Sequence, residues 1–171
     1  NALAASGQLD EALHTFHRLI ALQPGNALAH NNLGHVQKSL GRQQEAEASF
    51  RKAIALQPGY AGALVNLGNL HHDRHEPDLA ESCYRRAIAL APRDASAHCG
   101  LGAMLWRLGR HDDAMACYRT SLSLDPQHAG ALVNLGNAHW NMGALAEAEA
   151  LYARALAVRP QDCEILNNLA A

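Results

Sequence analysis

The sequence predicts an all-α protein made of repeated pairs of antiparallel helices, and three observations lead to this fold class. The stretch GALVNLGN at residues 62–69 returns letter for letter at 130–137, and blurred copies of it recur every 34 residues. A fixed period of this length indicates a repeat protein. Only 5% of the residues are aromatic while alanine and leucine are abundant, which favours helix over strand. Within each repeat, apolar residues recur twice with helical spacing.

Prolines spaced 34 residues apart mark the boundaries of the repeats. Because each of them prevents a helix from continuing, one helix pair ends where the next begins. The marker prolines are Pro24, Pro58, Pro92, Pro126 and Pro160. The full repeats set by this spacing are 27–60, 61–94, 95–128 and 129–162. Residues 1–26 are the rear of an earlier repeat and 163–171 the front of a later one, so we expect a single array over 1–171 that is a fragment of a longer chain.

Each repeat holds two apolar stripes, one for each helix. In the first repeat, Leu33 and Val36 belong to the first stripe, while Phe50 and Ala53 belong to the second. The break between the stripes carries a glycine, which adopts the left-handed backbone of a helix end without strain. The break glycines are Gly7, Gly41, Gly109 and Gly143.

The second repeat departs from this pattern at the break. His75 replaces the glycine and is followed by Glu76 and Pro77. Proline is tolerated in the first turn of a helix, where its missing N–H has no partner in any case. We therefore expect the second helix of this repeat to begin at the proline.

Small residues recur inside the helices, where they need a reason. A glycine in a helix interior costs about 1 kcal/mol relative to alanine, so its recurrence indicates close approach of a neighbouring backbone. These glycines are Gly34, Gly68, Gly102 and Gly136. The large residues expected to fill the remaining seam on the second helix are Phe50, Tyr84, Tyr118 and Tyr152.

The Leu-Gly pair, the later alanine, the aromatic residue and the closing proline resemble the tetratricopeptide repeat (TPR) over the whole chain. The early tryptophan and the tyrosine common in the first helix of that pattern are missing. The resemblance implies a right-handed superhelical solenoid of antiparallel helix–turn–helix hairpins. It also implies a concave groove lined by the first helices, where such proteins usually bind peptides or partner proteins.

A polar row runs along the first helices on the side away from the apolar stripe. Asparagine is not favoured inside helices, and its amide offers both donors and an acceptor to an extended peptide. The row residues predicted to bind a peptide or protein are Asn32, His35, Asn66, Asn69, Asn134, Asn137 and Asn168. The alternative is a solvated helix face. If the ladder binds, replacing Asn66 and Asn134 with alanine weakens binding and barely moves the melting temperature.

The segment ALVNLGN, at residues 63–69 and 131–137, is similar to the repeats of O-linked N-acetylglucosamine transferases. That resemblance implies that Asn32, Asn66, Asn134 and Asn168 hold protein substrates, with Gly100 as a missing rung. The chain would then be the substrate-recognition arm of a larger enzyme. The branch of the family that clamps a C-terminal carboxylate uses cations on the first helices, and no cation stands at the corresponding positions.

Trp106 and Trp140 lie just beside the polar row. They are predicted to form an apolar pocket for a ligand side chain, with packing against the adjacent hairpin as the alternative. Gly100 and Ala103, next to Trp106, predict a recess for a bulky ligand residue.

The remaining sequence features exclude other functions. A net charge of −2 without a basic cluster argues against nucleic acid, and no apolar run is long enough to span a membrane. No nucleophile–base pair or glycine-rich phosphate loop is evident in the sequence. The histidine pair His71 and His72 lacks the further ligands that would complete a metal site. We therefore expect no enzyme activity, cofactor or metal in this segment. The four cysteines lack disulfide spacing, which favours a cytoplasmic setting. Self-association through Leu166 and Leu169 at a truncated end is a third possibility.

Overall fold

The computed structural model describes the backbone of residues 2–170 and the side chains of residues 7–163 and 165–168. This part of the chain is helical, with short turns between the helices, which confirms the all-α prediction. The helices are α1 (Ala2–Leu22), α2 (Ala27–Ser39), α3 (Gln43–Leu56), α4 (Ala61–Asp73), α5 (Pro77–Leu90), α6 (Ala95–Arg107), α7 (His111–Leu124), α8 (Ala129–Asn141), α9 (Leu145–Val158) and α10 (Cys163–Ala170).

The helices fall into two compact units, Asn1–Leu90 and Ala91–Ala171. In the first, which we call the N-terminal unit, α2 pairs with α3 and α4 pairs with α5, while α1 packs on α2. In the second, the C-terminal unit, α6 pairs with α7 and α8 with α9, and α10 packs on α9. The repeating element is therefore the predicted helical hairpin.

The predicted helix boundaries agree closely with the structure. Five helices (α2, α4, α6, α8 and α10) begin at the first residue of a predicted repeat. Gly41, Gly109 and Gly143 have φ values of 75°, 77° and 77°, and His75 takes the same left-handed conformation with φ 62°. The helix after His75 begins at Pro77 as expected.

The prediction of a helix break at Gly7 is wrong, because α1 runs through this residue without interruption. A glycine permits a left-handed turn but does not enforce one, and inside a helix it costs only about 1 kcal/mol. A Cβ built on Gly7 would meet no atom within 4 Å. No packed neighbour among the described residues therefore holds the chain in a turn there.

Neighbouring hairpins of the N-terminal unit share an apolar core. Ala46 and Phe50 from α3 pack with Leu67 and Leu70 from α4, and Cys83 from α5 completes the cluster. All five residues are less than 9% exposed. Burial of apolar surface between hairpins, each of which is too thin to bury its own, stabilises such an array.

The mid-helix glycines lie against aromatic rings, whereas the sequence predicted a neighbouring backbone as the main contact. A Cβ on Gly102 would lie 2.6 Å from Cε1 of Tyr118, and one on Gly34 would lie 2.7 Å from Cε1 of Phe50. The neighbour is chiefly the ring on the second helix of the same hairpin rather than backbone, although the carbonyl oxygen of Ala46 also lies 3.1 Å from the Gly34 position. Glycine thus makes room for the aromatic residue.

Two further observations concern the setting of the chain. None of the helices in the described part of the chain is both long enough and apolar enough to cross a bilayer. All four cysteines are free thiols.

Candidate functional site

The asparagines at the sixth position of the second and fourth repeats bond to the repeat before them. We number positions from the first residue of each repeat, so that Asn66 and Asn134 stand at position 6. In the N-terminal unit, Nδ2 of Asn66 donates to Oδ1 of Asn31, at position 5 of the preceding repeat, across 2.9 Å. Asn31 is only 7% exposed. Asn66 therefore connects α4 to α2, in addition to any role in binding.

The same geometry recurs in the C-terminal unit with a weaker acceptor. Nδ2 of Asn134 points at Sγ of Cys99, at 3.7 Å, and Cys99 stands at position 5 of the preceding repeat. Burial raises the pKa of the Cys99 thiol to about 11, so the sulfur is a neutral, weak acceptor. Because the amide nitrogen of Asn134 turns toward this sulfur, its Oδ1 is left for another partner.

The asparagines at position 9 bond to the tyrosine of their own hairpin. The hydroxyl of Tyr84 donates to Oδ1 of Asn69, and that of Tyr152 donates to Oδ1 of Asn137, each across 2.7 Å. Nδ2 of Asn168 also donates to Oδ1 of Asn137, at 3.1 Å. These bonds orient the amides, so that Nδ2 of Asn137 and Oδ1 of Asn168 remain for a ligand.

A cavity of about 350 Å³ opens among these side chains in the C-terminal unit. It brings together five of the nine residues predicted from the sequence, including both tryptophans. The lining residues are Trp106, Tyr118, Asn134, Asn137, Trp140, Asn141, Tyr152 and Asn168. None of these side chains is formally charged at neutral pH. The predicted side-chain pocket and the C-terminal half of the asparagine row thus form one candidate site.

Trp106 is held in place by a second ring. Its indole centroid lies 4.2 Å from the imidazole centroid of His111, with the planes inclined at 59°. His111 is the first residue of α7, so this contact joins the end of one helix of the hairpin to the start of the other. Trp106 therefore packs within its own hairpin and also lines the cavity.

The sequence reasoning missed three lining residues, Tyr118, Asn141 and Tyr152, and Tyr118 differs from Tyr152 in its bonding. Ala103 stands at position 9 of its repeat, where Asn69 and Asn137 stand in theirs, so Tyr118 has no amide to bond. Tyr118 is 2% exposed and lines the cavity, yet no described residue hydrogen-bonds its hydroxyl. The sequence carries a signal for this difference. The second and fourth repeats combine the tyrosine of the second helix with an asparagine at position 9, whereas the third repeat combines Tyr118 with Ala103.

The N-terminal unit carries a different surface at the corresponding positions. Lys38, at the position of Trp106 and Trp140, forms an ion pair with Asp73 at 2.8 Å. The four predicted binding residues of this unit lie outside the cavity described above. They are Asn32, His35, Asn66 and Asn69.

His71, in the second repeat, is hydrogen-bonded within the fold. Nδ1 of His71 lies 2.5 Å from Oε2 of Glu76, and the His71 side chain is almost fully buried. Over the residues that the structure describes, no group of three or more His, Cys, Asp or Glu side chains has the arrangement of a metal site. His71 therefore joins α4 to the turn before α5.

A broader depression of about 780 Å³ in the N-terminal unit is lined by polar and charged residues, among which Arg74 and Glu47 pair with each other. Arg74 pairs with Glu47 and also donates from Nε to Gln43 at 3.2 Å. Glu47 in turn lies 2.8 Å from Arg51. This network connects neighbouring hairpins.

The chain is similar to one protein-family model and to several solved structures. The chain matches the family model of the cilia and flagella-associated protein 70 middle TPR-like domain over two overlapping segments, residues 2–98 and 73–169. No curated protein matches the chain significantly.

Several solved structures share the fold. A thermophilic TPR protein in Thermus thermophilus is 27% identical with a TM-score of 0.83, and the match covers 99% of this chain and 92% of that one. MamA is 26% identical with a TM-score of 0.70 over 94% of each chain. YrrB, a TPR protein with an unusual peptide-binding site, is 24% identical with a TM-score of 0.65 over 100% of this chain and 88% of its own.

Proposed function

Because the chain belongs to the family of the cilia and flagella-associated protein 70 middle TPR-like domain, we propose that it is a protein-interaction scaffold that binds an extended segment of a partner protein. The binding site is the cavity of the C-terminal unit. The observation that carries this proposal is the convergence of both tryptophans with four asparagines around one opening.

The lining suits a peptide in an extended conformation. An asparagine side chain offers an N–H donor and a C=O acceptor, the same groups that a peptide backbone exposes. Nδ2 of Asn137 is free to donate, and Oδ1 of Asn134 and Oδ1 of Asn168 are free to accept, because the other half of each amide already bonds within the protein. The tryptophans supply the large apolar contact area that dominates the energy of most interfaces.

Of the asparagine row predicted from the sequence, the C-terminal half is the part that we propose binds the ligand. In the N-terminal unit Lys38 and Asp73 occupy the surface where the tryptophans stand in the other unit. We propose that the predicted binding residues of this unit contact at most the backbone of a long ligand. These residues are Asn32, His35, Asn66 and Asn69.

Selection from a displayed library of random peptides, using the whole chain as bait, tests the proposal. Peptides that bind through the cavity lose affinity for the Trp140→Ala variant and keep it for Lys38→Met, which changes the equivalent position of the N-terminal unit. Far-ultraviolet circular dichroism verifies that both variants are folded. The proposal fails if no peptide is enriched, or if the enriched peptides bind Trp140→Ala as tightly as the unaltered chain.

Two alternatives remain predictions from the sequence. In one, the chain is the substrate-recognition arm of a glycosyltransferase, and in the other it associates with itself. Leu166 is 44% exposed, whereas the side chain of Leu169 lies outside the described residues. Neither alternative is favoured by a specific feature of the cavity.

A further inference from the structure

We infer that the cavity of the C-terminal unit selects an arginine side chain of the bound segment, with the guanidinium seated between the aromatic rings. This inference rests on the proposed function and names the ligand group that the site recognises. Four features of the cavity support it: its rings, its free acceptors, its lack of charge and the acidic balance of the unit.

Aromatic rings form half of the lining. Trp106, Trp140, Tyr118 and Tyr152 all contribute to a cavity of about 350 Å³. The faces of such rings carry partial negative charge and attract cations, tryptophan most strongly, and arginine is the protein cation that most often makes this contact. A planar guanidinium also stacks on an indole ring, which an ammonium does not.

Three acceptor atoms of the lining are left for a ligand. Oδ1 of Asn134 and Oδ1 of Asn168 are available, because their amide nitrogens donate to Cys99 and to Asn137. The hydroxyl oxygen of Tyr118 has no hydrogen-bond partner among the described residues. A guanidinium has five N–H donors and no acceptor, so it can donate to all three of these atoms.

The charge of the surroundings favours a cation. None of the lining side chains is charged, and burial raises the pKa of both Tyr118 and Tyr152, so the two phenols stay neutral. Residues 91–171 contain eight acidic residues against six arginines and no lysine, whereas residues 1–90 contain eight of each sign. The net negative charge of the chain thus resides in the C-terminal unit, where it attracts a positively charged segment.

Other occupants leave part of the site unsatisfied. An aliphatic or phenyl group would cover the Tyr118 hydroxyl without bonding it, which costs the desolvation of a buried polar group. A carboxylate or phosphate would find no cation in the lining. The aliphatic and phenyl groups are therefore the competitors to compare with arginine.

Intrinsic fluorescence reports on this site alone, since Trp106 and Trp140 are the two tryptophans of the chain. The probes are capped pentapeptides of glycine and serine whose central residue is arginine, citrulline, lysine, norleucine or phenylalanine. Citrulline has the size and shape of arginine but no charge. We expect a saturable change with the arginine peptide and roughly tenfold weaker binding of the citrulline peptide.

Two variants separate recognition of arginine from a general effect on the fold. Tyr118→Phe removes one hydroxyl and keeps the ring, so it should weaken the arginine peptide several-fold while leaving the norleucine and phenylalanine peptides unchanged or tighter. Tyr84→Phe, the same change in the N-terminal unit, should leave binding of the arginine peptide unchanged. Thermal unfolding of both variants verifies that they are folded.

The inference is overturned if the citrulline, norleucine or phenylalanine peptide binds as tightly as the arginine peptide, or if the arginine peptide gives no saturable change at millimolar concentration. That failure is distinguishable from failure of the proposed function. Peptides selected from the library that depend on Trp140 but lack arginine would remove the guanidinium inference and leave the peptide-binding scaffold standing.

Discussion

Tyr152 donates its hydroxyl proton to Oδ1 of Asn137 across 2.7 Å, which ties the second helix of a hairpin to its first. We expect a double-mutant cycle of Tyr152→Phe and Asn137→Ala to give a coupling free energy of about 1 kcal/mol, the usual net value of a hydrogen bond within a protein. Urea unfolding of the four chains measures it. Tyr118→Phe is the matched control: its hydroxyl has no such bond, so its free energy of unfolding should change less than that of Tyr152→Phe. A coupling indistinguishable from zero would show that the bond contributes nothing.

Asn66→Ala should destabilise the chain more than Asn134→Ala. Asn66 donates to the buried Asn31 at 2.9 Å, and leaving that oxygen unpaired costs about 1–3 kcal/mol. Asn134 donates to a thiol at 3.7 Å, a weak bond whose loss costs less. The bond to Asn31 thus changes the expectation from the sequence that both replacements leave the melting temperature nearly unmoved. Calorimetry compares the two variants, and equal shifts would contradict this reading.

Two glycines of α8 should respond to alanine in opposite directions. A Cβ on Gly136 would lie 2.6 Å from Cε1 of Tyr152, whose ring is buried and cannot move aside. Overpacking of this kind costs about 1–3 kcal/mol. A Cβ on Gly130 would lie 3.5 Å from Cε1 of His128, an ordinary contact, so Gly130→Ala should gain roughly 0.5 kcal/mol from helix propensity. Denaturant midpoints decide the sign of each change, and a stabilised Gly136→Ala would contradict the packing argument.

Glu47 should contribute stability that is lost in acid. The hydrogen bond from Arg74 is the largest cause that lowers the pKa of Glu47 below its ordinary value of 4.5. Since the folded pKa lies below the unfolded one, the contribution is complete above pH 4.5 and disappears as the pH falls through the folded value.

The difference in free energy of unfolding between the unaltered chain and Glu47→Gln should therefore shrink as the pH falls below 4.5. Arg74→Gln removes the main cause of the shift and should raise the pKa of Glu47, which carbon-detected NMR titration of the carboxyl group measures. An unchanged titration midpoint in Arg74→Gln would refute the assignment.

A side-chain cap is missing from α4 and can be supplied. Nδ1 of His128 accepts from the backbone N–H of Ala131 at 3.1 Å, and Asn26 caps α2 in the same way. Tyr60, at the corresponding position before α4, makes no such bond. Tyr60→Asn should stabilise the chain, and His128→Ala should destabilise it, each by about 1 kcal/mol. Thermal unfolding tests both, and a loss of stability in Tyr60→Asn would mean that the packing of Tyr60 over Gly62 outweighs the cap.

The fold was largely predictable because its signals are local and repeated. Pro58 and its counterparts stop helices through their own covalent geometry, and the glycine at 41 permits a left-handed turn that few other residues tolerate. The error at Gly7 has the same origin, since a local permission to turn is not a requirement. The recurrence of Gly68 predicted a close approach inside the helix, but the expected neighbour was backbone, whereas the ring of Tyr84 lies there.

The sequence by itself determined the helical hairpins, their boundaries and the position of the asparagine row, because periodicity and turn chemistry act over a few residues. Only the tertiary structure decided whether the oxygen or the nitrogen of each asparagine amide is already hydrogen-bonded, because this depends on the residue that packs against the amide. Asn66 meets the oxygen of Asn31, Asn134 meets the sulfur of Cys99, and Tyr118 has no amide partner because Ala103 stands at the position of Asn69 and Asn137. Those partners are 15 to 35 residues away along the chain, and packing of the helices brings them within hydrogen-bonding distance.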